Sequence, residues 1–231
     1  MTKTASIIVD ASVPLVAMAF WPLYLSRPFG SVDRYTHLHA GVGLLWLVLL
    51  IAQPAAVHAR SFALHRMLGR VSYVLAPAFA VASLLLSHHR LASMDSGTFA
   101  AEGFWHYLPF YATAGFVLAY GSGLRFRRIP AAHGRFMLCT AIPLVDPVLG
   151  RLLAFYVPPL PSPWLYQVVT FTVATVIAGL LVFSYRGAAA ARRALVGYFV
   201  VLVFLQLGWF VIAPTALWLE AVRWFRGIPL T

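Results

Sequence analysis

The sequence predicts an all-α integral membrane protein, a helix bundle of about seven transmembrane helices. Three observations carry that prediction. Of 231 residues, 61 % are hydrophobic and only 10 % are charged, against about 25 % charged in a soluble domain. Residues 35–59, 71–89, 103–124, 152–185 and 194–219 contain no Asp, Glu, Lys or Arg, and roughly 18 such residues suffice for a membrane-spanning helix. The 17 basic residues gather in the short connections between these runs, where they set topology. The formal charge of +11 therefore points to no nucleic-acid partner. A soluble globule and a disordered chain are excluded by the same arithmetic.

Spans are expected at about 8–25, 35–58, 68–89, 104–124, 132–156, 164–185 and 195–218. In the first, only the stretch between Asp10 and Arg27 is uncharged, which leaves an interfacial helix as the alternative. Trp21, Pro22 and Tyr24 stand where a signal peptide needs small residues, so it is read as a retained helix. Spans two to five carry the histidines; spans six and seven have none. The linker at 157–163, Val-Pro-Pro-Leu-Pro-Ser-Pro, cannot be helical and separates spans five and six. The organisation is one transmembrane domain over 1–231, with a histidine-bearing core at 35–156 and accessory helices at 8–25, 164–185 and 195–218.

Charge sets the orientation. With the N-terminus cytoplasmic, that side receives Lys3, Arg60, Arg66, Arg70, Arg125, Arg127, Arg128, Arg135, Arg186, Arg192 and Arg193. The other side receives Arg27, Arg34, Arg90, Arg151, Arg223 and Arg226, together with Asp33, Asp95, Glu102 and Glu220. The positive-inside rule gives N-terminus in and C-terminus out. Trp105, Tyr107, Trp164, Tyr166, Trp218 and Trp224 fall near the expected interfaces and read as belt residues.

Several chemistries are absent. Lys3 is the only lysine, so no embedded lysine exists to form a retinal Schiff base. There is no Walker motif, dinucleotide fingerprint, HExxH or nucleophile elbow. Cys139 is the single cysteine and lies in an apolar run, so no intramolecular disulfide forms.

Histidine remains. His37 and His39 open span two and His106 opens span four, on the outer side; His65 opens span three and His133 span five, on the inner side. From His37 to His65 is 28 residues and from His106 to His133 is 27, so the two hairpins are metrically alike. Imidazole is an axial ligand of haem iron, and a helix bundle can hold a porphyrin between facing histidines. Gly43 lies one turn from His39 and Gly69 one turn from His65, which leaves room beside each ring. Another metal, or a structural or solute-handling role at helix ends, is equally open on spacing alone.

The string Tyr35-Thr36-His37-Leu38-His39, with Trp46, Gln53-Pro54 and His65-Arg66-x-x-Gly69-Arg70, resembles an uncharacterised family of bacterial multi-pass membrane proteins. His133-Gly134-Arg135-x-Met137, Asp146-Pro147 and Arg151 resemble that family's later block. The likeness covers 35–151 and implies a bacterial inner-membrane location but no activity. A more distant likeness is to the di-haem ascorbate-dependent transmembrane cytochromes b. It implies His39 with His106 on the outer side and His65 with His133 on the inner side as haem b ligands, with His37 an alternative outer ligand. Arg66, Arg70 and Arg135 would then meet haem propionates.

Asp146 is the one acid in the apolar run between Arg135 and Arg151, and intramembrane carboxylates are functional candidates by default. Its spacing to Arg151 does not put the two on one helix face. With His37, His88 and His89, Asp146 offers an alternative zinc or iron site. The leading expectation is a haem-bearing transmembrane oxidoreductase that carries electrons from a small-molecule donor to an acceptor. The alternatives are a non-haem metal protein and a cofactor-free transporter or scaffold.

Overall fold

The computed structural model describes residues 14–157 and 162–231. Lys3, Asp10, the beginning of the first expected span and most of the Pro-rich linker lie outside the described residues. The described chain is all-α, with no strand. Its helices are α1 Pro14–Leu25, α2 Arg34–His58, α3 Phe62–Ala92, α4 Ser96–Glu102, α5 Tyr107–Arg125, α6 Pro130–Cys139, α7 Ile142–Tyr156, α8 Pro163–Phe183, α9 Ala189–Val211 and α10 Ala216–Arg226. Five stretches are long and apolar enough to cross a membrane: α2, α3, the run Pro130–Tyr156 that holds α6 and α7, Trp164–Phe183 within α8, and α9.

Three expectations shift. The first span is a shorter apolar helix whose last turn, Trp21–Leu25, is a π-helix with a proline near its start. The fourth is the 19-residue α5, entered through a 3-10 turn at Gly103–His106. The seventh ends at Val211, short of 218, because Pro214 brings no N–H and Thr215 starts a new helix by accepting from Trp218 N. Between α3 and α5 sits α4, which spacing alone did not predict. Its N-cap Asp95 accepts from the backbone N–H groups of Thr98 and Gly97. The Thr98 N–H foremost holds that carboxyl below the usual carboxylate range.

The chain divides into two compact units. The first comprises residues up to Phe79 together with Leu144–Ala174. Here Asp33 caps α2 by accepting from Thr36 N at 2.9 Å. The helix ends in a Schellman turn: Arg60 N–H donates to Val57 O and Ser61 N–H to Ala56 O. Arg60 occupies the left-handed position at φ 56°, where glycine is the usual residue. Gln53 then joins α2 to α3. With its amide turned so that both ends are satisfied, it donates to His65 Nδ1 and His65 O and accepts from Gly69 N. Further along the same pair, Phe79 lies over Gly43, where an added Cβ would sit 3.2 Å from the ring. Trp46 is fully buried.

The second unit comprises Ala80–Pro143 and Thr175–Thr231. At the approach of α5 and α6, the tip of the Met137 side chain lies over Gly123, where an added Cβ would push it aside. The membrane run is interrupted between α6 and α7. Pro143 has no N–H to offer the carbonyl of Cys139 four residues earlier, and the Tyr198 hydroxyl of α9 donates to that carbonyl at 3.2 Å. Thr175 of α8 donates to Gln206 of α9 at 2.6 Å, a polar link between apolar helices. On α10, Val222 packs with Leu91 and Phe99, and Arg226 donates to Met94 O.

Candidate functional site

The histidines sort into two groups by what their ring nitrogens do. His37 is engaged at both: the Tyr24 hydroxyl meets Nδ1 at 3.0 Å and Nε2 meets Phe29 O at 3.0 Å. His88 is buried and likewise engaged, with Thr231 Oγ1 at 2.7 Å and Ile228 O at 2.8 Å. Both rings are used to fasten chain segments, so neither offers a free lone pair for a metal. His58 is exposed, and His89 half-buried.

His106 and His133 differ. His106 is buried, with Ser87 Oγ at 2.9 Å from Nδ1. His133 donates from Nδ1 to Gly123 O at 2.9 Å, so its Nε2 carries the lone pair. In both rings Nε2 makes no hydrogen bond among the described residues. A ring tethered at Nδ1 and open at Nε2 is the form in which histidine binds iron or zinc. The other two expected haem ligands fit less well. His65 accepts at Nδ1 from Gln53, so its proton sits on Nε2, and the room beside Gly69 is taken by that same amide. His39 stacks on Phe79, ring centroids 5.3 Å apart, and Phe79 also fills the room beside Gly43.

The arginines expected at propionates also divide. Arg66 and Arg70 are exposed. Arg135 is spent on the end of α8: Nε donates to Leu181 O at 3.1 Å, Nη2 to Ser184 O at 3.5 Å, and the guanidinium lies over Tyr185 at 5.3 Å. Cations near a helix C-terminus satisfy its last carbonyls in this way, and that role replaces the expected one.

The most complete polar site lies in the first unit, around Asp146 of α7. Thr170 Oγ1 and Gln167 Nε2, one turn apart on α8, both reach Asp146 Oδ1 at 2.6 Å. All three side chains are buried, Asp146 to 8 % exposure. Oδ2 accepts no hydrogen bond among the described residues. Arg151, five residues on, lies within electrostatic reach of Asp146 but makes no ion pair with it. Instead its Nη1 donates to Pro147 O at 2.7 Å, and its guanidinium lies over Phe20 of α1 at 4.6 Å. Its Nε is buried with no partner. His39 of α2 is also within electrostatic reach of Arg151.

Asp146 stood out in the sequence; Gln167 and Thr170 did not. The available signal was their spacing of three in an apolar run, which puts both on one helix face. Among the described residues, no three His, Cys, Asp or Glu side chains gather in a metal-binding group, which gives the zinc or iron alternative no support. Compared with protein-family models, curated proteins and solved structures, the chain matches none.

Proposed function

We propose that the protein is a small proton-linked membrane carrier in which Asp146 takes up and releases the proton. One observation supports this above others: a buried carboxylate with Oδ1 held by two donors and Oδ2 left open. An ionised carboxylate within a membrane span is expensive unless paired. Arg151 is near but unpaired with it, so a proton on Oδ2 is the simplest neutralising partner. Thr170 and Gln167 hold Oδ1 and leave Oδ2 as the position for the proton. The interruption at Thr140 and Ala141, in the same apolar run as Asp146, agrees with broken helices lining polar sites in carriers. The test is an infrared pH titration of the purified protein. A protonated-carboxyl band should titrate and vanish in Asp146→Asn; an unchanged band set in that variant contradicts the proposal.

A second reading retains b-type haem with transmembrane electron transfer, as an oxidoreductase between a cytosolic donor and an outer acceptor. Its support is the pair of tethered rings, His106 at the start of α5 and His133 at the start of α6, each open at Nε2. Haem held by these histidines would supply a one-electron carrier. His65 fits only if the Gln53 amide turns to accept from Nδ1, and His39 only if Phe79 withdraws, so the four ligands do not fit as they stand. This reading predicts a Soret band from protein purified in detergent, lost in part in His106→Ala and in His133→Ala but intact in His58→Ala. Protein without that band contradicts it. In either reading the proposed location is the inner membrane of a bacterium, N-terminus cytoplasmic.

A further inference from the structure

Arg151 has one guanidinium edge anchored and, on the other, a buried Nε without a partner. Nη1 is tied back to the carbonyl of Pro147 one turn earlier on its own helix. A backbone carbonyl has two lone pairs, so it accepts this side-chain donor without leaving the helix. The Phe20 ring supports one face of the guanidinium. What remains is the edge formed by Nε and Nη2, and the buried Nε has no partner. This is the edge at which arginine grips a planar two-oxygen anion through two parallel N–H···O bonds. Leaving a guanidinium half-buried and unpaired beside a carboxylate it does not touch is costly, unless something from outside completes it.

We infer that Arg151 recognises the carboxylate of a small solute, bound side-on to Nε and Nη2. The inference deepens the carrier reading and rests on it: the proton held on Asp146 and the anion held on Arg151 would travel as an electrically neutral pair. No bond is made or broken. The neutrality is the advantage, because moving the anion alone across an apolar segment carries the full cost of a buried charge. Two sources share this anion chemistry, a free carboxylate and a lipid phosphate, and the carboxylate is favoured because the carrier reading calls for a solute small enough to move with the proton.

The probes are acetate and methyl phosphate, each against chloride at equal ionic strength, with the full chain in detergent and the unfolding midpoint as readout. A ligand that binds only the folded state raises the midpoint saturably. Acetate should do so for the unaltered protein. Arg151→Lys keeps the charge but loses the fork, and should weaken apparent acetate affinity by about tenfold or more. Asp146→Asn should retain acetate binding, so the two proposals fail separately. Acetate no better than chloride, or equal acetate response in Arg151→Lys, overturns the inference. So does tighter binding of methyl phosphate, with a phospholipid that copurifies with the unaltered protein and not with Arg151→Lys. If acetate binds while no carboxyl band titrates, the anion site stands and the proton site falls.

Discussion

A single side chain in a membrane interior is judged by what completes its hydrogen bonds, and Gln53 shows how far that can be read in advance. The sequence placed Gln53 beside Pro54 and His65 four residues before Gly69, and the four looked like separate marks of one family pattern. Their connection is a clamp: the Gln53 amide reaches into the first turns of α3, meeting His65 and Gly69 together. Spacing along one helix reveals which residues share its face, but not which residue of the preceding helix lies opposite. For that reason the sequence singles out the ring of His65 without showing that Gln53 is its partner. The same holds for Arg135, whose donors are taken by the carbonyls of Leu181 and Ser184. Gln53→Leu keeps the approximate volume and removes the clamp, so it should destabilise the protein by about 1–3 kcal/mol, the cost of leaving buried polar groups unpaired. SDS-induced unfolding in mixed micelles measures it. A change within error would mean that water or lipid headgroups already satisfy His65 and Gly69.

At the scale of elements, the apolar runs located α2, α3, α8 and α9, which are long and apolar enough to cross a membrane, because burial in hydrocarbon demands an uninterrupted, internally bonded helix. Where the sequence misled, a local signal was present and outweighed. The run 194–219 is uncharged throughout, yet Pro214 and the cap residue Thr215 split it into α9 and α10. Likewise, Asp95 followed three residues later by Thr98 marks the start of α4 through its cap rather than through hydropathy. The interruption between α6 and α7 depends on a partner from α9, Tyr198, which no reading of that segment alone supplies. One helix end carries strain that can be relieved. Arg60 holds the left-handed position of the α2 terminus at φ 56°, where a side chain costs about 1 kcal/mol relative to glycine. Arg60→Gly should therefore raise stability by up to about that amount in the same unfolding assay. Lower stability in that variant would mean that the arginine side chain contributes more than its backbone costs.

For the molecule as a whole, charge distribution and polar content bear on function from opposite directions. Eleven basic residues, from Lys3 to Arg193, fall on one side of the proposed topology and six on the other. A reporter fused after Thr231 should then be active only outside the cytoplasm; activity inside would overturn the orientation or the crossing of α9. Against so apolar a background, the buried polar groups are few, which is why Asp146 could be singled out from sequence while its companions on α8 could not. The whole chain has only six acidic residues. That scarcity makes the proton site directly observable, because each carboxyl can be assigned by one substitution. The decisive measurement is the infrared pH titration of the full-length protein in lipid, compared with Asp146→Asn and Thr170→Val. A proton-binding Asp146 predicts a carboxyl band that titrates reversibly, is absent in Asp146→Asn, and changes its frequency in Thr170→Val, where the carboxyl loses a hydrogen-bond partner. A band set that is the same in all three proteins would contradict it.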